Sequence, residues 1–185
     1  MRNLTNLPNL VLIGFMGTGK SSIGKRLALK LGMEFVDSDL EIEALMGMSI
    51  SEIWDRYGER CGEVRFRSEE SLVIKKLAGR VKTVIATGGG AVLKPENFAA
   101  LSQSGVIITL TADPEVISLR VARKGNRPLL KGDNSPEKIR EMLAKREAVY
   151  AQGDFIVDTS HITLDEAVEK IVGNLAEVGY GNCKG

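Results

Sequence analysis

The chain has 185 residues, 43% of them hydrophobic and 26% charged, with 25 Lys and Arg against 24 Asp and Glu and a formal net charge of +1. That length fits one domain with a full core. The near-balance of charge excludes a global attraction to nucleic acid or to an anionic membrane surface, so electrostatics of consequence must be local.

Two cysteines, Cys61 and Cys183, lie far apart and in no metal-like spacing. This argues against a disulfide scaffold and for a reducing, cytoplasmic setting. The longest apolar run near the start, Leu10 to Ile13 with Phe15 and Met16, is too short to span a bilayer and precedes no small-residue cleavage site. Neither a membrane span nor a signal peptide is expected.

In chain order, MRNLTNLP reads as a short disordered tail. NLVLIGF follows as a buried strand, and KSSIGKRLALKLG as a helix with Ile23, Leu27 and Leu31 on one face and Gly32 as its stop. Between them, Gly14-Phe15-Met16-Gly17-Thr18-Gly19-Lys20-Ser21 matches G-x-x-x-x-G-K-[ST] without a gap. Each part has a chemical reason. Glycines let successive N–H groups turn inward around a phosphate, and the following helix adds the positive end of its dipole. Lys20 supplies a mobile charge to the β- and γ-phosphates, and Ser21 a hydroxyl to Mg²⁺. The strand–turn–helix context is the one this loop requires, so a nucleotide site is expected. GTPases, ATPases and small-molecule kinases all share such a loop.

EFVDSD is a second strand, ending in Asp37 and Asp39. Residues i and i+2 of a strand point to one side, which places both carboxylates in the cleft at the carboxyl ends of a parallel sheet. The alternative is that Asp39 caps a helix beginning at Leu40 while Asp37 is solvated. Asp37 is the candidate for the metal, held through water. Helices are predicted over Leu40–Met46, Ser51–Tyr57 and Glu63–Leu77. In GEVRFRSEE, Glu63 and Arg67 form an i, i+4 pair suited to an exposed helix, while Arg67 alternatively offers a planar fork to a carboxylate or phosphate.

TVIATGGG is a third strand closing on Gly88, Gly89 and Gly90. Three bare backbones at the end of a strand suggest close approach by a ligand. After a helix over Pro95–Gln103 comes the fourth strand, GVIITLTA, then a helix over Pro114–Lys124. RVARKGNRPLL contains Arg120, Arg123 and Arg127, the last within a stretch whose Gly, Asn, Pro and charge predict a mobile lid over about 124–135. An arginine on such a lid can close over a transferring phosphoryl group. A long helix over Pro136–Tyr150 carries Arg146. DFIVDT is the fifth strand, Leu164–Val178 the last helix, and GYGNCKG a second disordered tail.

Strands alternating with helices predict an α/β domain, three-layered α/β/α around a parallel sheet covered on both faces. One domain is expected over 1–185. Its substrate-binding helical segment would lie at about 38–70.

The loop at Gly14–Ser21, with FVDSD, FRSEE, TGGGAV, NRPLL and KREAVY in that order, resembles the shikimate kinase family over roughly residues 10 to 160. The resemblance implies the nucleoside-monophosphate-kinase-like P-loop fold, with a five-stranded parallel sheet ordered 2-3-1-4-5. It implies transfer of the γ-phosphoryl of ATP to the 3-hydroxyl of shikimate, in the route to chorismate and the aromatic amino acids. By position, Gly17, Thr18, Gly19, Lys20, Ser21 and Ser22 would hold the ATP phosphates, with Ser21 and Asp37 serving Mg²⁺. Asp39 would bind the substrate hydroxyls and assist deprotonation of the attacking one. Arg67 and Arg146 would bind the carboxylate, and Gly88, Gly89 and Gly90 would pack along the substrate. Arg127 would reach the phosphates, Arg120 would stack on adenine, and Phe66 and Glu70 would shape the pocket. The implied partners are ATP and shikimate, with no nucleic acid or membrane, and the implied form is a cytoplasmic monomer. A gluconate-type kinase and a non-catalytic shikimate-sensing domain are the alternatives. Trp54 and Met46 read as core or pocket wall, and His161 as a solvent-facing loop residue.

Overall fold

The structure, a computed structural model, describes residues 8–123 and 133–180, without the side chain of Glu59. Five strands form one parallel sheet: β1 (Asn9–Ile13), β2 (Glu34–Asp37), β3 (Thr83–Ala86), β4 (Gly105–Thr111) and β5 (Phe155–Asp158), in the order β2-β3-β1-β4-β5. The expected topology is the observed one. β1 lies at the centre, pairing Leu10 with Val84 on one side and Val106 on the other. All five of its residues are buried, which accounts for the apolar run Leu10–Ile13, while Asn9 at its start is satisfied by the Arg80 carbonyl and the Thr83 N–H.

Strand alternation sends β1 side chains into two cores. Leu10 and Leu12 join Ile23, Leu27, Val168 and Ile171 beneath helices α1 (Lys20–Leu31) and α8 (Leu164–Glu177). Val11 and Ile13 join Phe66, Ile74, Leu77 and Leu101 on the opposite face, beneath α3 (Ile50–Ala78) and α4 (Pro95–Ser104). The remaining helices are α2 (Ser38–Met46), α5 (Pro114–Ala122), α6 (Pro136–Ala144) and α7 (Glu147–Tyr150), with a 3₁₀ turn at Ala91–Leu93. No helix among the described residues is long and apolar enough to cross a membrane.

Four details depart from the expectations. β2 stops at Asp37 and β3 at Ala86, so Asp39 and the three glycines lie beyond the strands. The two helices expected at 51–57 and 63–77 are present, but they follow one another without a linker across a corner at Gly58 (φ 72, ψ 164), and together they make up α3. That corner brings Gly62 against the Ile53 and Trp54 backbone, where a Cβ would sit 3.1 Å from the Ile53 carbonyl oxygen. The helix expected over Pro136–Tyr150 breaks at Lys145 and Arg146, leaving α6 and the single turn α7. Lastly, the tails are shorter than expected. Tyr180 is half-buried, and its hydroxyl donates to the Pro8 carbonyl at 2.7 Å. The other tail residues, 1–7 and 181–185, lie outside the described residues, as does most of the expected lid, 124–132 with Arg127.

Candidate active site

The carboxyl ends of the strands open onto a cavity of about 480 Å³. Three elements build its floor. The turn after β1 carries Gly14 at φ +134, packed so closely on β4 that a Cβ would strike the Leu110 carbonyl oxygen. Gly17 (φ 81) and Gly19 (φ 98) are left-handed, letting the chain curl before α1 begins at Lys20. The Lys20 ammonium, buried to 8% exposure, donates to the Gly14 and Phe15 carbonyls at 2.8 Å each. Thr18 closes the loop, its hydroxyl donating to the Phe15 carbonyl at 2.8 Å. Residues 16–23 all line the cavity.

Beside this loop, Asp37 is the N-cap of α2. Its Oδ1 accepts the Asp39 N–H at 3.0 Å, and its Oδ2 accepts the Ser21 hydroxyl at 2.5 Å. Both aspartates line the cavity, as expected. The local structure differs from the expected one, because Asp39 stands on the first turn of α2 and Asp37 does the capping. One carboxylate thus ties the phosphate-loop helix to the helix that presents the other. The paired Ser21 hydroxyl and Asp37 carboxylate are hard oxygen donors, a set that fits Mg²⁺.

The third element is the glycine triplet with α3. None of Gly88, Gly89 and Gly90 has a positive φ, so turn geometry does not require them. Close approach does, and the chain's own side chains supply it. A Cβ on Gly88 would strike Asp39 Oδ1, and one on Gly90 would sit 2.7 Å from a terminal nitrogen of Arg67. The Gly88 N–H is held by the Ser38 hydroxyl at 2.8 Å. The triplet is therefore the wall on which the candidate carboxylate and guanidinium rest, and it also lines the cavity.

Arg67 pairs with Glu70 at 2.8 Å and more distantly with Glu63 at 3.9 Å. Glu70 is buried to 1% exposure, and its second oxygen has no hydrogen-bond partner among the described residues. Burial pushes its carboxyl above the ordinary value of 4.5, against the opposing pull of Arg67 and Lys94. A carboxyl whose folded value is raised stabilises the fold while protonated. That contribution is complete below its ordinary value and is lost as pH rises through the raised one. Glu70→Gln is therefore expected to gain thermal stability relative to the wild type as pH goes from about 4 to 7, measured by melting temperature. A difference between the two that is independent of pH would contradict this.

Met16, Ile50, residues 162–164 and Ala167 are wall residues that the sequence did not single out. Met16 and Ile50 join Trp54 and Phe66, whose rings meet at 5.1 Å, as the apolar side of the cavity. At the far end lie Arg120, Arg123, Thr159 and residues 162–164 with Ala167. Arg120 is not loose there. It donates to the Thr159 carbonyl at 2.6 Å and hydroxyl at 3.0 Å, and to the Gly17 carbonyl at 3.3 Å. Met46 packs on the core and His161 is solvent-facing, 3.2 Å from Asp113. Arg146 is the one described candidate that does not line the cavity. Its guanidinium lies over the Phe15 ring, 5.1 Å from the centroid, and donates to the Gly89 carbonyl at 3.3 Å.

A glycine-rich loop with its lysine, two aspartates and the Arg67 guanidinium thus face one cavity. Comparison with known proteins gives the family. The family model described as shikimate kinase matches residues 16–176. A shikimate kinase of Pelotomaculum thermopropionicum is 51% identical over 94% of this chain and 99% of its own length. One of Thermodesulfovibrio yellowstonii is 46% identical over 95% and 99%. Among solved structures, a shikimate kinase from Acinetobacter baumannii in complex with shikimate superposes with a TM-score of 0.86 at 36% identity, covering 93% of this chain and 94% of that one. With its sheet order, its loop and its paired aspartates in place, the chain belongs to the shikimate kinase family.

Proposed function

We propose that this chain transfers the γ-phosphoryl of ATP to the 3-hydroxyl of shikimate, using the cavity at the strand ends for both substrates. The observation that carries the reading is the joining of Ser21, Asp37 and Asp39. The loop that cradles phosphates and the carboxylate beside the glycine wall are linked through one capping aspartate.

In this reading the backbone of Gly17, Thr18 and Gly19 receives the ATP phosphates with Lys20, Ser21 and Ser22. Lys20 turns from the Gly14 and Phe15 carbonyls to the β- and γ-phosphates. Ser21, and Asp37 through water, would hold Mg²⁺, which would supply positive charge to offset that of the phosphates. Asp39 accepts a hydrogen bond from the attacking hydroxyl and takes its proton as the bond to phosphorus forms. Arg67 grips the shikimate carboxylate, Arg146 joins it, and Gly88, Gly89 and Gly90 lie along the ring. Arg120 forms the adenine wall. Arg127 contributes charge from the segment after α5. Phosphoryl transfer leaves little covalent work to the protein, so positioning and charge carry the rate. The enzyme is read as a cytoplasmic monomer.

The direct test offers ATP and Mg²⁺ with shikimate, gluconate and a nucleoside monophosphate in parallel. Phosphorylation of shikimate alone supports the reading. Phosphorylation of gluconate instead, or shikimate binding with no turnover, contradicts it. Arg67→Ala is a finer test. Loss of a charge-assisted fork is expected to raise the KM for shikimate by about 10- to 100-fold while that for ATP stays within about twofold. Equal losses for both substrates would place Arg67 outside the acid subsite.

A further inference from the structure

The Gly89 carbonyl receives two donors from one short stretch of chain, the Tyr150 hydroxyl at 2.7 Å and Arg146 at 3.3 Å. A carbonyl oxygen has two lone pairs, so both fit, but the bonds differ in kind. The first is short and comes from a rigid post. Tyr150 is 5% exposed and belongs to the core beneath α3. Its carbonyl accepts the Thr109 hydroxyl at 2.7 Å, and its N–H donates to the Arg146 carbonyl at 3.0 Å. The second bond is long, at the limit of a useful hydrogen bond, and comes from a half-exposed side chain that also rests on the Phe15 ring and interacts with the Tyr150 hydroxyl.

The break between α6 and α7 makes this sharing possible. Arg146 sits at φ −115, ψ −5, outside regular helix, and Tyr150 ends the turn that follows. The same trans peptide that points the Gly89 carbonyl at Tyr150 sends the Gly90 N–H the opposite way. Gly90 is the residue against which the Arg67 guanidinium packs. Fixing one peptide plane therefore fixes the glycine wall relative to Arg67.

We infer that Tyr150 is a positioning residue for the acid subsite: its hydroxyl holds the Gly89 carbonyl so that Arg146 can leave that carbonyl for the substrate's carboxylate. The inference rests on the reading of Arg146 as a carboxylate ligand. With Tyr150 in place, departure of Arg146 leaves the carbonyl satisfied. Without the hydroxyl, Arg146 is the only described donor left to Gly89, and engaging substrate strips the acceptor bare.

A double-mutant cycle on the full chain tests this. Tyr150→Phe is expected to raise the KM for shikimate about tenfold, the scale of one unsatisfied acceptor, with the KM for ATP within about twofold. Arg146→Ala is expected to raise the KM for shikimate by itself. In that background, adding Tyr150→Phe is expected to change it less than about twofold, because no arginine remains to be released. The inference is overturned if Tyr150→Phe leaves shikimate KM unchanged, or if its effect is the same with and without Arg146. If Arg146→Ala alone has no effect, the carboxylate role of Arg146 fails and the inference falls with it. Should Tyr150→Phe not fold, the wild-type protein still decides by NMR. Adding shikimate is expected to shift the Arg146 Nε–H resonance while the Tyr150 hydroxyl proton stays protected from exchange. An Arg146 resonance that does not move, or a Tyr150 proton that loses protection, overturns the inference.

Discussion

Asp39→Asn is expected to lower kcat for shikimate phosphorylation by about 10³-fold, within the range that a positioned general base supplies. The substitution keeps size and removes the proton acceptor. Asp39 stands on the first turn of α2, its N–H held by Asp37 and its carboxylate pressed on the Gly88 backbone, so asparagine occupies the same place. Because Asp37 and the phosphate loop are untouched, the KM for ATP should change less than about twofold. Steady-state release of ADP with shikimate as acceptor measures both. A loss under about tenfold in a folded variant would remove Asp39 from the chemistry and leave it a structural neighbour of the glycine wall.

Lys20→Ala is the second large effect. It is expected to lower kcat by about 10²- to 10³-fold, the cost of losing one preorganised charge on the transferring phosphoryl, and to weaken ATP as well. Two functions are lost at once. The ammonium crosses the loop to the Gly14 and Phe15 carbonyls, and alanine leaves both without that donor. The loop is braced independently by the Thr18 hydroxyl on Phe15, and Gly14 is wedged against Leu110, so the fold should persist. Titration calorimetry with ADP separates the parts. A variant that binds ADP as the wild type does, yet turns over normally, would contradict the role given to Lys20.

The phosphate loop was legible because everything it needs is local: a buried strand, a run of glycines and a helix within one continuous segment. The parallel sheet followed from the alternation of strands with helices, and its order from the family resemblance alone. Asp39 was placed in the cleft, where it lies, but through the wrong local structure. Strand periodicity placed it beside Asp37, whereas the chain turns helical at Ser38 because Asp37 itself caps α2. The glycine triplet marked a close approach, but which groups approach is a matter of packing between segments distant in sequence. Arg67 comes from α3 and Asp39 from α2, and neither distance is encoded near Gly88. Glu70 sits three residues after Arg67, so their pairing was readable, but its burial was not. Tyr150 was invisible as a site residue because its partner, Gly89, is 61 positions away and only the break before α7 brings them together.

The account depends on one cavity serving both substrates, with Asp39 between them. A crystal structure of the chain with an unreactive ATP analogue, Mg²⁺ and shikimate tests this most directly. The account predicts the shikimate carboxylate on Arg67, its 3-hydroxyl within hydrogen-bond reach of Asp39, and the γ-phosphate over the Gly17–Ser22 loop in line with that hydroxyl. Shikimate bound away from the glycine wall, or with its 3-hydroxyl turned from Asp39 and the γ-phosphate, would contradict it.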